Sequence, residues 1–227
     1  RNSAAGAINV TSNNPNHDGF EGQVQARAGN YGAYDIGGVV SGPISDGVAY
    51  RVSGKFSTFD GFGRNELTGE DFGFRDNTVL RGKLSIEPSD KWSILLSADY
   101  AEIESGGPSV EFLSGSENPV FLGTLAALFG PDTTRLVTDD PTDHSVYQLT
   151  EGIHNNEQFG FAADISYDLD SGHTIRSISS YREFESYEFQ NVLELPVSIF
   201  PRDYDLQNES IQQEIQIISP EDDKFQY

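Results

Sequence analysis

Apolar and polar residues alternate with period two along most of the chain. In 20–29, Phe20, Gly22, Val24, Ala26 and Ala28 fall on one face, with Glu21, Gln23, Gln25 and Arg27 on the other. In 47–58, Val48, Tyr50, Val52, Gly54 and Phe56 alternate with Ala49, Arg51, Ser53, Lys55 and Ser57. The same beat sets Leu80, Gly82, Leu84 and Ile86 against Arg81, Lys83 and Ser85 in 78–86. In 92–100 an apolar face runs through Trp92, Ile94, Leu96, Ala98 and Tyr100, and in 159–167 through Phe159, Phe161, Ala163, Ile165 and Tyr167. These segments predict β-strands with one apolar and one polar face. Segments 33–42, 174–184 and 206–218 carry the pattern more weakly, and in 174–184 the alternation does not say which face is apolar. The clear strands run roughly 9–12 residues, about what a tilted strand needs to cross a bilayer, whereas strands of soluble proteins cluster near 5–6. Tyr34, Tyr50, Trp92, Tyr100, Tyr167 and Tyr181 are expected at or near strand ends, where interfacial aromatic girdles sit.

The connections alternate between two kinds. Ser45-Asp46-Gly47, Pro88-Ser89-Asp90, Asp170-Ser171-Gly172 and Ser219-Pro220-Glu221-Asp222 are tight turns built from turn-forming residues. Between them come longer connections near 60–76, 104–156 and 186–206. Short turns at one end and long loops at the other is the layout of a membrane β-barrel. Within the longest loop, Asn118-Pro119 can cap and open a helix, 120–129 is apolar, and Gly130-Pro131 would end it. Such a helix is far too short to span a membrane. It is expected to keep the loop compact; its functional reading is a lid or ligand-contacting turn.

Composition sharpens the picture. The 227 residues include no Cys and carry a formal net charge of −22. The acidity excludes nucleic acid as a partner, because phosphate binding needs basic patches. Zero Cys excludes a disulfide framework and thiolate metal sites. No stretch approaches the roughly 18 apolar residues of a transmembrane helix, and the low mean hydropathy says little about strands that alternate. High net charge with low hydropathy also suits disorder, against which stand 15 Phe, 10 Tyr and the regular alternation. The chain opens on Arg1-Asn2-Ser3 and stops at Tyr227 as alternation resumes, so it is read as a piece of a longer protein.

The opening run from Arg1-Asn2-Ser3 through Gly6-Ala7-Ile8-Asn9-Val10-Thr11 resembles the end of the plug domain in TonB-dependent receptors. The likeness continues in order through Gly29-Asn30-Tyr31-Gly32, Ser41-Gly42-Pro43-Ile44-Ser45-Asp46, Asp60-Gly61-Phe62 with Arg64-Asn65, Glu87-Pro88-Ser89-Asp90, and Ser210 to Ser219. The resemblance implies an all-β, antiparallel transmembrane barrel segment of about eight strands, from a plugged barrel of about 22. Residues 1–15 would be the C-terminal end of the plug and 16–227 the N-terminal portion of the barrel. It implies an outer-membrane receptor for active uptake of a scarce nutrient, such as a ferric siderophore. The TonB system would act through the plug and N-terminal region, with outer-membrane lipid and lipopolysaccharide around the wall.

The polar faces carry Arg27, Arg51, Lys55, Arg81 and Lys83, five of only 14 basic residues. Facing lipid near the midplane, each would cost roughly 2–4 kcal/mol. They are therefore expected to line the lumen and dock the plug, pairing with Glu21, Asp35, Asp99 or acids of the plug. The acids concentrate elsewhere: ten Asp and Glu lie between 101 and 158 against the single Arg135. They are read as a solvated face, a cation-bridged contact with lipopolysaccharide, or a field that attracts cationic ligands.

No catalytic constellation, cofactor site or metal site is expected. His17, His144, His154 and His173 lack ligand-like spacing. Asp168-Leu169-Asp170-Ser171-Gly172 matches half of a calcium loop but reads better as a hairpin turn, and Asp139-Asp140-Pro141-Thr142-Asp143 as a solvated acidic loop. Gly61-Phe62-Gly63 has no strand–helix unit around it and is no nucleotide fingerprint. Two other classes stay open on the residues alone: a passive porin, which should lack the plug-like segment, and a soluble carbohydrate-binding β-protein, whose apolar faces should pack on a second sheet.

Overall fold

The computed structural model describes residues 11–107, 118–131, 144–146, 148–149, 151–191 and 201–220. The main architecture is one antiparallel sheet. Its strands are β1 (Glu21–Ala28), β2 (Tyr34–Ser45), β3 (Val48–Phe59), β6 (Arg75–Ser89), β7 (Trp92–Gly106), β9 (Ile153–Asp168), β10 (Thr174–Asn191) and β11 (Pro201–Ile218). Spatial order follows chain order, β1-β2-β3-β6-β7-β9-β10-β11. A small second sheet joins β4 (Gly63–Asn65) to β5 (Asp71–Phe72) and to β8 (Ser145–Val146), the last pairing being parallel. All eight alternating segments are strands of the main sheet, a barrel segment of the expected class.

Sequential neighbours pair because the turns between them are tight. Gly47 closes the β2–β3 hairpin at φ +69°, and a Cβ there would lie 2.4 Å from the Glu87 carbonyl oxygen, so only glycine fits. Trp92 follows Ser89 almost at once, with a register shift that absorbs Glu87-Pro88. Between β9 and β10, Leu169 N–H donates to His173 O at 2.8 Å and Gly172 N–H to Leu169 O at 2.9 Å. That is the hairpin turn expected of 168–172. These turns gather at one end of the sheet; at the other, 29–33 joins β1 to β2 and 60–74 joins β3 to β6, beside the ends of β7, β9, β10 and β11 at Gly106, Ile153, Asn191 and Pro201.

The registers put every alternating face in phase. One face holds Val24, Gly38, Gly54, Leu80, Tyr100 and Phe159 in a single cross-strand row. Nearer the turns another row runs Tyr50, Leu84, Leu96, Ala163. At the turn end Trp92 pairs with Tyr167, their ring centroids 4.6 Å apart. Toward the loops the belt stops at Glu102, Glu157 and Glu185, which stand side by side on the same face. The strand 174–184, whose faces were undecided, places Ile175, Ser177, Ser179 and Tyr181 on the belt side. No second layer covers the belt among the described residues: Val24 is 80%, Ile211 81% and Ile215 71% exposed. The buried hydrophobic side chains among these residues are Ala49, Phe72, Ala101 and Val146. Among the described residues no sandwich core, which the soluble alternative needs, is built.

Several strands outrun their alternating centres. β6 starts at Arg75, β7 reaches Gly106, β9 starts at Ile153, and β10 continues to Asn191. Tyr100 and Tyr181 consequently sit inside their strands rather than at strand ends, near the loop-side limit of the belt. The physical reason is that strand pairing needs only backbone hydrogen bonds, so it continues past the point where apolar residues give way to charge. The helix α1 (Pro119–Phe129) forms where expected, with the Asn118 side chain accepting from Val120 N–H at 2.9 Å and Gly130 N–H reaching Ala126 O. None of its residues is buried.

Candidate functional site

The polar face of the sheet carries the candidate site. Period-two side chains bring Arg27, Arg51, Lys55, Arg81 and Lys83 to this one face, on β1, β3 and β6. Arg51 Nη1 meets Glu21 Oε1 at 2.7 Å, and Lys55 Nζ meets Asp35 Oδ1 at 3.3 Å, bridging β3 to β1 and β2 respectively. With the Gln25 amide turned so that its oxygen faces the guanidinium, Arg27 donates to it through Nε at 2.8 Å and Nη2 at 2.6 Å. Arg81 lies opposite Asp99 in the β6–β7 register, yet Asp99 is taken by another residue. Arg182 reaches across β9 and binds both Asp99 oxygens at 3.1 Å.

That reach depends on Gly160, which sits between them on β9: a Cβ there would lie 2.6 Å from Arg182 Nη2. A second fork–fork pair joins β10 to β9, Arg176 to Asp164 at 2.8 and 2.5 Å. Both arginines belong to 174–184, whose polar face the sequence left undecided, and so both pairs went unforeseen. The available signal was long-range register, which alternation within one strand does not contain. Together these pairs cross-link the strands on one side of the sheet, while the opposite side stays apolar.

The segment before β1 lies against the same polar face. Lys83 Nζ donates to Ser12 O at 2.9 Å and to Asn14 Oδ1 at 3.1 Å. Asn16 N–H donates to Oγ of Ser41, a fully buried serine on β2. His17 Nε2 lies 2.9 Å from Ser85 Oγ and 3.7 Å from Glu87 Oε1. The chain therefore enters the sheet along its charged side, next to the tight turns. Residues 1–10, which carry most of the plug-like segment, lie outside the described residues, as does the acidic run 139–143.

At the loop end the small sheet ties two connections together. Asn65, 3% exposed, donates through Nδ2 to Gln148 O at 2.9 Å, and Gln148 N–H returns a bond to Asn65 Oδ1. Glu151 Oε1 accepts from Gly73 N–H at 2.7 Å. Burial pushes the Glu151 carboxyl above its ordinary range, the Gly73 N–H opposes that shift, and the nearby Glu70 charge adds to it. Three hollows mark the polar face and its two ends. One of about 270 Å³ lies over Gly37 between Gln25 and Lys55; one of about 730 Å³ lies by the turns near His17; one of about 640 Å³ lies under the loops.

No family model matches the sequence. The chain is similar in fold to a solved chain described as "Structure of the FpvAI-pyocin S2 complex", with a TM-score of 0.65 at 16% sequence identity. The similarity covers 91% of this chain and 25% of that one, so the chain spans about a quarter of its length. At that identity the likeness speaks for the fold alone.

Proposed function

We propose that this chain is the first part of the wall of an outer-membrane barrel that takes up a scarce nutrient, such as a ferric siderophore, with energy from TonB. The apolar belt faces lipid in this reading, and the charged face lines the lumen. From Trp92 to Tyr100 the belt spans about 27 Å of strand, or a little over 20 Å of height at a tilt near 40°, close to the band of a membrane barrel. Arg27, Arg51, Lys55, Arg81 and Lys83 then stand in water or against a plug, where their charge costs little.

The observation that carries the reading is the path of residues 12–17. They are held against the charged face by Lys83, Ser41 and Ser85, opposite the bare apolar belt. A segment entering the barrel from inside is what a plug needs and what an open pore has no use for. The ordered family-like motifs, from Gly29-Asn30-Tyr31-Gly32 to Glu87-Pro88-Ser89-Asp90, support the same choice. Outer loops and plug would bind the ligand, and TonB-driven movement of the plug would open the path. No covalent chemistry is involved.

The test is uptake of radioiron from a panel of ferric siderophores, by cells carrying the protein with and without TonB. Uptake that requires both supports the proposal. Large, steady conductance in planar bilayers without TonB would make the protein a passive porin and overturn it.

A further inference from the structure

At the loop end four rings form a chain. Tyr31 meets Phe59 edge-on at 6.3 Å, Phe59 meets Phe62 at 6.5 Å, and Phe62 meets His144 edge-on at 5.3 Å. The two terminal rings belong to the two described non-glycine residues with left-handed backbone, Tyr31 and His144, each at φ +59°. That conformation is disfavoured for non-glycine residues, most of all a bulky tyrosine, and persists only where surroundings hold it. Here Asp60 N–H donates to Tyr31 O at 3.0 Å, and Arg64 N–H to His144 O at 3.0 Å. Phe72, 3% exposed, fills the space beneath Gly61 and Gly63, where any Cβ would overlap it. Phe62 itself is left 58% exposed. The fold thus bears strain at both ends of a rigid aromatic ledge that buries little.

The ledge edges the hollow of about 640 Å³, whose lining includes Phe59, Phe62, Arg27, Arg75, Ser57 and Asn77. That volume is in the range of ligand sites, and flat rings with a few converging polar groups are their usual lining. Asp35 also borders it but is engaged by Lys55. Among the described residues neither Arg27 nor Arg75 has a carboxylate within ion-pair distance, in a chain of net charge −22. Two guanidiniums without acids, beside exposed ring faces, match an anion joined to a flat ring.

The geometry points to a binding subsite for an aryl carboxylate group, seated with its ring on Phe62 and Phe59 and its carboxylate between Arg75 and Arg27. The assignment rests on reading the loop end as the outward mouth of the proposed transporter. Its test does not need transport.

Benzoate and cyclohexanecarboxylate, equal in charge and different in ring character, are titrated by calorimetry into the whole protein purified from outer membranes in detergent. Benzoate is expected to bind at least fivefold tighter than cyclohexanecarboxylate. Arg75→Gln should weaken benzoate about tenfold. Phe62→Leu should abolish the preference between the two acids, and Phe62→Tyr should keep it. Both sites are exposed, and heat-modifiable gel mobility verifies that each variant is folded. Absence of saturable benzoate binding, equal binding of the two acids, or affinities untouched by Arg75→Gln and Phe62→Leu would overturn the subsite. Benzoate binding without TonB-dependent uptake leaves the subsite standing and removes the transporter reading; uptake without benzoate binding does the reverse.

Discussion

Substituting Leu96 by Arg separates a lipid-facing belt from a merely exposed sheet face. Leu96 lies midway between Trp92 and Tyr100 on β7, flanked by Leu84 on β6 and Ala163 on β9. In a bilayer that places it near the midplane, where an arginine on the lipid face costs roughly 2–4 kcal/mol. At about 1.4 kcal/mol per decade, the folded-to-unfolded ratio should fall about 30- to 800-fold. The neighbour Ser97 points to the charged face, opposite Lys83 and Ala162. Ser97→Arg crowds Lys83 but meets water, so its cost should stay within about 1 kcal/mol. Both substitutions are made in the whole protein, which is folded into phosphatidylcholine vesicles under a urea gradient, with gel mobility reporting the folded fraction. Equal costs for the two substitutions, or a cost under about 1 kcal/mol for Leu96→Arg, would refute the assignment of the belt to lipid.

The open edges give a second expectation. Among the described residues β1 and β11 each pair on one side only, so the 227-residue chain alone in water should aggregate or stay partly unfolded. Sedimentation that finds a monodisperse species with a cooperative melt, in the absence of detergent, would count against the barrel segment. Gly160→Ala should break the Arg182–Asp99 pair by occupying its path; in Gly160→Ala, Asp99→Asn should then cost less than in the parent, by about 0.5–1 kcal/mol, as for a half-exposed ion pair. Glu151 carries a pH dependence. Its raised carboxyl means the docked loop binds a proton more tightly than the released loop does. Docking is therefore firmest below the ordinary glutamate range and weakens as pH rises through the elevated value. Hydrogen exchange at Gly73 should quicken across that rise, and Glu151→Gln should abolish the dependence while keeping an acceptor for the Gly73 N–H. A pH-independent exchange difference between the two proteins would contradict this.

How much of this was legible from the residues depends on the range over which each feature is specified. Alternation is local, and it located every strand of the main sheet, down to the weak 33–42 and 206–218. Turn chemistry is local too, and Gly47 and Gly172 stand at positive φ where the turns require it. Strand ends were less legible, because the stretches from Ile103 to Gly106 and from Ile153 to Gln158 include charge and amides yet pair through their backbones. The cationic face was readable as a set, and Glu21 and Asp35 were foreseen as partners. The assignment of Asp99 was not, because Arg81 and Arg182 compete for it and the winner is decided by a missing side chain on a third strand. The loop end was the least legible part. Its small sheet joins segments some eighty residues apart through β4 and β8, each only two or three residues long and without periodicity. What distinguishes that region is not pattern but strain. Left-handed Tyr31 and His144 are held in place by bonds from Asp60 and Arg64, and no local rule would choose a tyrosine there. A barrel wall can be specified by a repeated two-residue beat; the loop end cannot, since Tyr31 and His144 take a backbone conformation that only contacts from distant segments hold.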